Sequence, residues 1–218
     1  MDSKKDDKKI CFIMCANNDL YSDEAIYYLN RLVIPNGYTA DILCVKEANS
    51  MCAGYNEGMN ASNAKYKVYL HHDVFIMNEH FISDMVKLFE NTEIGMIGMV
   101  GSPELNETAV MWCGERIGSI YSGGDRLAFD AEIPVQKEFL EVEAIDGLLM
   151  ATQYDIPWRE DLFTDWDFYD ISQSFEFIKQ GYKVVVPNMS SPWCFHDESR
   201  VNLENYYKNR QIFINEYQ

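Results

Sequence analysis

Two rhythms of apolar and polar positions take turns along the first half of the chain. Residues 10–15 form a continuous apolar run of the kind a strand buried on both faces needs, and residues 40–45 supply a second strand. Between them Ser22-Asp23-Glu24 opens a helix with acidic side chains at its positive end, and Ala25, Leu29, Leu32 and Val33 give it one inward face. Pro35-Asn36-Gly37 closes that helix. Met51, Tyr55 and Met59 fall at i, i+4 and i+8 and predict a second helix over residues 49–60. A third strand follows at 67–70. Asn78 is placed to cap a third helix, whose stripe is Phe81, Ile82, Met85, Leu88 and Phe89, and residues 93–100 read as a fourth strand. Strand–helix units of this length predict an α/β fold with a mostly parallel central sheet and helices on both faces.

The second half is less periodic. Residues 101–135 are glycine-rich, and the segment from Ser119 to Arg126, with Ser122-Gly123-Gly124-Asp125 at its tip, is expected to be a mobile flap. A strand over 140–144 leads into Asp146-Gly147. Thr164-Asp165-Trp166-Asp167 fits a capping box, with Phe168, Ile171, Phe175 and Ile178 as the stripe of the helix behind it and Gly181 at its end. A strand at 183–187 and an amphipathic helix through Leu203, Tyr206, Phe213 and Tyr217 complete the pattern. Without repeats or a Pro- or Ser-rich linker, residues 10–218 read as one domain behind a disordered Lys/Asp lead-in at 1–9.

Composition narrows the functions open to such a domain. Its 218 residues, 47% hydrophobic, are enough to bury a full core. A formal charge of −17 argues against nucleic acid and anionic membrane surfaces, yet a nucleotide with a divalent cation remains compatible, because the ion reverses the local field. No run is long and apolar enough for a signal peptide or an integral membrane segment. The six cysteines lack any Cys-x-x-Cys spacing and read as reduced thiols, which with the rest predicts a cytoplasmic protein.

The candidate chemistry gathers at strand ends. The turn after the first strand, Cys15-Ala16-Asn17-Asn18-Asp19, has no glycine, which excludes a dinucleotide-binding Rossmann turn; its polar residues suit hydrogen bonds to a base or ribose, or simply a turn and a helix cap. The third strand ends abruptly in His71-His72-Asp73. Alternation puts His71 and Asp73 on one face and His72 on the other, so the edge offers two metal donors together. Further on come Asp167-Phe168-Tyr169-Asp170 and Trp193-Cys194-Phe195-His196-Asp197. The capping box accounts for Asp167, while Asp170 lies beyond it, and His196 alone has no stronger reading than a structural histidine.

Taken in order, these motifs resemble family 2 glycosyltransferases over roughly residues 10–200, and in particular a subgroup whose strand ends His-x-Asp-Val in place of Asp-x-Asp. The resemblance implies a GT-A-like fold. It also implies transfer of a sugar from a UDP-linked nucleotide diphosphate donor to a saccharide or other hydroxyl acceptor, with inversion by one direct displacement, as in polysaccharide biosynthesis. By position, Asp73 and His196 would hold a divalent metal (Mn2+ or Mg2+), and Asp170 would be the general base. Ala16, Asn17, Glu47, Asn56, His71, His72, Asp146 and Gly147 would line the donor site. The alternative is a protein of the same fold that binds nucleotide sugars without transferring them.

Overall fold

The apolar run at residues 10–15 becomes the middle of a long strand with a partner on each side. In the computed structural model, which describes residues 4–123, 125–128, 133–197 and 203–218, the chain alternates strand and helix through its first half. The elements are β1 (Asp6–Ala16), α1 (Asp19–Leu29), β2 (Thr39–Lys46), α2 (Met51–Ala61), β3 (Ala64–Leu70), β4 (Val74–Ile76), α3 (Phe81–Phe89), β5 (Ile94–Gly98) and β6 (Val100–Ser102). A single 3-10 turn, Met111–Cys113, precedes β7 (Ile117–Ser122), β8 (Asp125–Ala128), β9 (Phe139–Val142), β10 (Ala144–Ile145) and β11 (Leu149–Thr152). The chain then forms α4 (Tyr169–Lys179), β12 (Lys183–Pro187), β13 (Cys194–His196) and α5 (Tyr206–Tyr217).

Seven strands form one sheet in the order β2-β1-β3-β11-β5-β12-β9. The pairs β1–β2, β1–β3 and β5–β12 are parallel, whereas β11 is antiparallel to both β3 and β5, and β9 is antiparallel to β12. Five of the seven strands (β2, β1, β3, β5 and β12) therefore run the same way, in line with the mostly parallel expectation, while β11 and β9 are reversed and make the sheet mixed. The reversed strand β11 sits at its centre and follows a tight turn, with no crossover helix to make it parallel. A second sheet runs β10-β6-β7-β13-β4, with β8 on β7.

Helices cover both faces of the large sheet. A Cβ on Gly54 or Gly58 of α2 would collide with Cys15 or Ile13, whereas Phe81 of α3 packs on Phe12, whose side chain points the other way from β1. Bare glycines let α2 lie close on β1. The core is continuous: Ile10, Phe12, Met14, Tyr55, Val68, Tyr69, Phe81 and Val185 are all buried within it. All six cysteines are free thiols, and Cys113 alone of them is exposed. Among the described residues no helix is long and apolar enough to cross a membrane.

Several local expectations give way to tertiary partners. Residues 6–9 belong to β1 and not to a disordered lead-in, because Asp6 N donates to Asn63 O (2.9 Å) and Lys9 Nζ reaches Asp41 Oδ2 (2.6 Å) and Asn63. Asn18, ahead of Ser22, caps α1 through Leu20 N. Asn78 caps nothing: it accepts from His80 N and donates to Asp84 Oδ2 just before α3. The supposed capping box does not cap α4, which starts at Tyr169 after Phe168 in a left-handed conformation (φ 64°). Asp165 of that segment instead accepts from Asn205, Lys208 and Asn209 and ties the loop to α5. The face of α4 that is buried carries Tyr169, Gln173 and Phe177; Phe175 of the expected stripe meets Phe213 of α5, and Ile178 is exposed. The expected flap is largely regular, since residues 119–122 are strand, paired with β8 across a turn where Gly123 supplies φ 59°, and Gly124 lies outside the described residues.

Candidate active site

The site grows from the end of β3. Strand β11 pairs beside it, with Leu149 opposite Leu70, and His71 N donates to Leu148 O (3.0 Å). The chain then turns through His72 and Asp73 into β4, which pairs antiparallel with β13 so that His196 lies opposite Val74. Asp197 N donates to Asp73 O (3.0 Å) and locks that register. Two segments far apart in sequence thereby put His196 Nε2 3.5 Å and His71 Nδ1 4.0 Å from the same oxygen, Asp73 Oδ1.

These three half-buried side chains can hold a metal ion: one ligand atom from each lies within 4.8 Å of the others. Two donors on one ion with bonds of about 2.1 Å lie about 3.0 Å apart at a right angle and about 4.2 Å apart when opposed, so the separations of 3.5 and 4.0 Å fall inside the range of a shared ion. The protonation states fit as well. Burial and the neighbouring His196 push the His71 imidazole down to about 4, so it is neutral and has a lone pair to give. Burial works to raise the Asp73 carboxyl, but hydrogen bonding to His196 and the pull of the imidazoles outweigh it and hold the pKa below the usual value. Two imidazoles and a carboxylate suit a borderline divalent ion. His72 takes no part, for its Nδ1 sits 3.2 Å from Cys15 O and its ring stacks on Tyr21 on the other side of the strand end.

A cleft of about 370 Å³ opens beside this cluster and brings together Ala16, Asn17, Glu47, His71, His72 and Asp73. Glu47 holds φ 58°, a conformation costly for a non-glycine residue and common at functional sites. Sequence reasoning missed Met51 and Trp166 in the lining. Trp166 is an aromatic isolated among polar residues and is half exposed, which was the available signal; Met51 gave none, because its helical spacing reads as core. Asn56 does not join the cleft. Both ends of its amide clamp the backbone of Trp158, Nδ2 donating to the carbonyl and Oδ1 accepting from the N–H, each at 2.9 Å. Its amide is thus engaged by Trp158 and stands outside the cleft lining expected for it.

Asp146, Gly147 and Asp170 do not line the cleft either; they reach His71 through Tyr169. Asp170, in the first turn of α4, accepts from Gly147 N through Oδ2 (2.9 Å) and from Ile171 N through Oδ1 (2.8 Å). Asp146 Oδ1 accepts from Leu148 N (2.9 Å) and shapes the same turn. Burial, then the charge of Asp146, lifts the Asp170 carboxyl to about 7 against the downward pull of its backbone hydrogen bonds. Tyr169 precedes Asp170 in sequence, and its hydroxyl lies 2.5 Å from His71 Nε2. A single helix start therefore touches the metal-capable cluster with one residue and presents a carboxylate poised near neutrality with the next.

A family model described as "Glycosyltransferase like family" matches residues 11–217. No curated protein matches the chain by sequence. Among solved structures, S. aureus TarS superposes with a TM-score of 0.60 at 10% identity over 95% of this chain. Mannosyltransferase PcManGT from Pyrobaculum calidifontis, in complex with GDP-Man and Mn2+, gives 0.59 at 11% identity over 93%. TarS 1-349 in complex with UDP-GlcNAc gives 0.60 at 9% over 95%. These alignments cover 39%, 60% and 66% of the respective partners, so this chain matches only part of their length. At such identity the likeness is one of fold.

Proposed function

The chain belongs to the glycosyltransferase-like family, and we propose that it moves a sugar from a UDP-linked donor to an acceptor hydroxyl with inversion, assisted by a divalent metal. The observation that carries this reading is the joining of a metal-capable cluster and a near-neutral carboxylate through adjacent residues of one helix start. His71, Asp73 and His196 would hold the ion, Mn2+ or Mg2+; when bound, it supplies positive charge to the donor diphosphate. Two of the similar structures contain a nucleotide sugar, one of them with Mn2+, which supports the class of donor without naming it.

The chain's own residues do the rest. Ala16, Asn17 and Glu47 of the cleft lining would meet the base and ribose, and Trp166 adds an aromatic wall to the same cleft. Asp146 and Gly147 shape the turn that meets Asp170. Asp170 acts as general base: its carboxylate takes the proton from a hydroxyl of the acceptor, a saccharide or another alcohol, as that oxygen bonds to the anomeric carbon. The bond from that carbon to the diphosphate oxygen breaks in the same displacement, and the electron pair leaves with UDP. A base with a pKa of about 7 is well matched to this work, since it is substantially ionised at neutral pH and still basic enough to accept a proton. Release of UDP from a panel of UDP-sugars in the presence of Mn2+ tests the reading: turnover on at least one donor is expected, and binding of donors without release of UDP from any of them would contradict it.

A further inference from the structure

We infer that Tyr169 is a positioning residue for the metal site: its hydroxyl holds the His71 ring through Nε2, leaving Nδ1 turned toward Asp73 and His196. This rests on the metal site proposed above and adds a residue outside the ligand set. The two nitrogens of His71 face different partners. Nε2 is 2.5 Å from Tyr169 Oη, whereas Nδ1 is 4.0 Å from Asp73 Oδ1, too far for a hydrogen bond but within the span of two ligands on one ion. A neutral imidazole carries a proton on one nitrogen and a lone pair on the other. With Tyr169 oxygen accepting from Nε2–H, the lone pair is on Nδ1, where the cluster needs it. Metal-bound histidines commonly have their other nitrogen fixed in this way, and loss of the partner typically costs 10- to 100-fold in metal affinity.

The hydroxyl is itself held in place. Tyr169 is 4% exposed, with the rings of Tyr55 (5.9 Å) and Trp158 (6.3 Å) packed around it. Gly147 provides the room: a Cβ there would collide with the Tyr169 hydroxyl and ring. The residue whose N–H holds Asp170 thus also leaves the space that seats Tyr169 against His71.

Tyr169→Phe removes one oxygen and keeps the ring. Calorimetric titration of Mn2+ in the presence of UDP should show affinity 10- to 100-fold weaker than in the wild type, with the melting temperature little changed. Nitrogen-15 NMR of histidine-labelled wild type with diamagnetic Zn2+ should show the coordination shift on His71 Nδ1, and Tyr169→Phe should lose that single pattern. Gly147→Ala, which displaces the hydroxyl without removing it, should weaken Mn2+ in the same direction. Asp73→Ala separates this inference from the reading beneath it. If Asp73→Ala abolishes Mn2+ binding while Tyr169→Phe matches the wild type, or if the Zn2+ shift falls on Nε2, the positioning role is overturned and the metal site stands. If Asp73→Ala binds Mn2+ as the wild type does, both are overturned.

Discussion

Asp170 carries opposing demands in one carboxyl group. Its pKa of about 7 lies above the unfolded value, so the folded state holds a proton that the unfolded chain releases between roughly pH 4 and 7. Stability from this group is therefore full below about pH 4 and is lost as pH rises through 7; at pH 8 the buried charge costs roughly 4 kcal/mol. Asp170→Asn removes that cost but can accept from only one of the Gly147 and Ile171 amides, which loses about 1–2 kcal/mol at every pH. The variant should melt above the wild type at pH 8, and that advantage should shrink to about nothing by pH 5; an advantage unchanged between the two would refute the raised pKa. Its turnover should fall by about 10² to 10⁴ with UDP affinity retained, and wild-type kcat/KM should decline as pH drops below about 7. Asp73 stood out in the sequence because polar residues end an apolar strand abruptly, whereas Asp170 and His196 were singled out only through the family resemblance. The clamp between Asn56 and Trp158 was not legible, because its partner is distant in sequence and a buried amide clamp has the same one-residue signature as a ligand contact.

At the scale of elements, the site depends on close packing beneath it. Gly54 of α2 lies against Cys15 and Ala48, and the Cys15 carbonyl in turn meets His72 at the mouth of the cleft. Gly54→Ala gains about 1 kcal/mol of helix propensity, but it pushes a methyl into the rigid end of β1, and overpacking of this kind costs about 1–3 kcal/mol. The expected outcome is a lower melting temperature together with weaker UDP binding, measured by thermal unfolding and calorimetry; a stabilised variant with unchanged affinity would show that α2 yields at this contact. Strands β1, β2, β3, β5 and β12 were legible from their apolar runs. Strands β4, β10 and β13 were not, because elements of two or three residues are too short to show a period and are defined only by long-range pairing. That pairing is what sets His196 beside Asp73, so the motifs could be read in the sequence while the ladder that joins them could not. The start of α4 was misread for a related reason: Asp165 has the local look of a cap but is engaged by α5.

For the whole molecule the governing fact is the charge of −17, which opposes the approach of any diphosphate unless a cation accompanies it. The sequence conveyed both that charge and the α/β class, and the match of the family model over residues 11–217 agrees with the class. The mostly parallel run of the large sheet was also legible, but the reversal of β11 and β9 was hidden, because nothing in their residue pattern gives strand direction. The central claim joins charge to site: UDP and a divalent ion bind as a unit on His71, Asp73 and His196. Calorimetric titration of UDP into wild type and Asp73→Ala, each with Mn2+ and with EDTA, tests it most directly. The account predicts that chelation weakens UDP binding by about tenfold or more in the wild type and changes nothing in Asp73→Ala. Equal UDP affinity with Mn2+ and with EDTA in the wild type would contradict it.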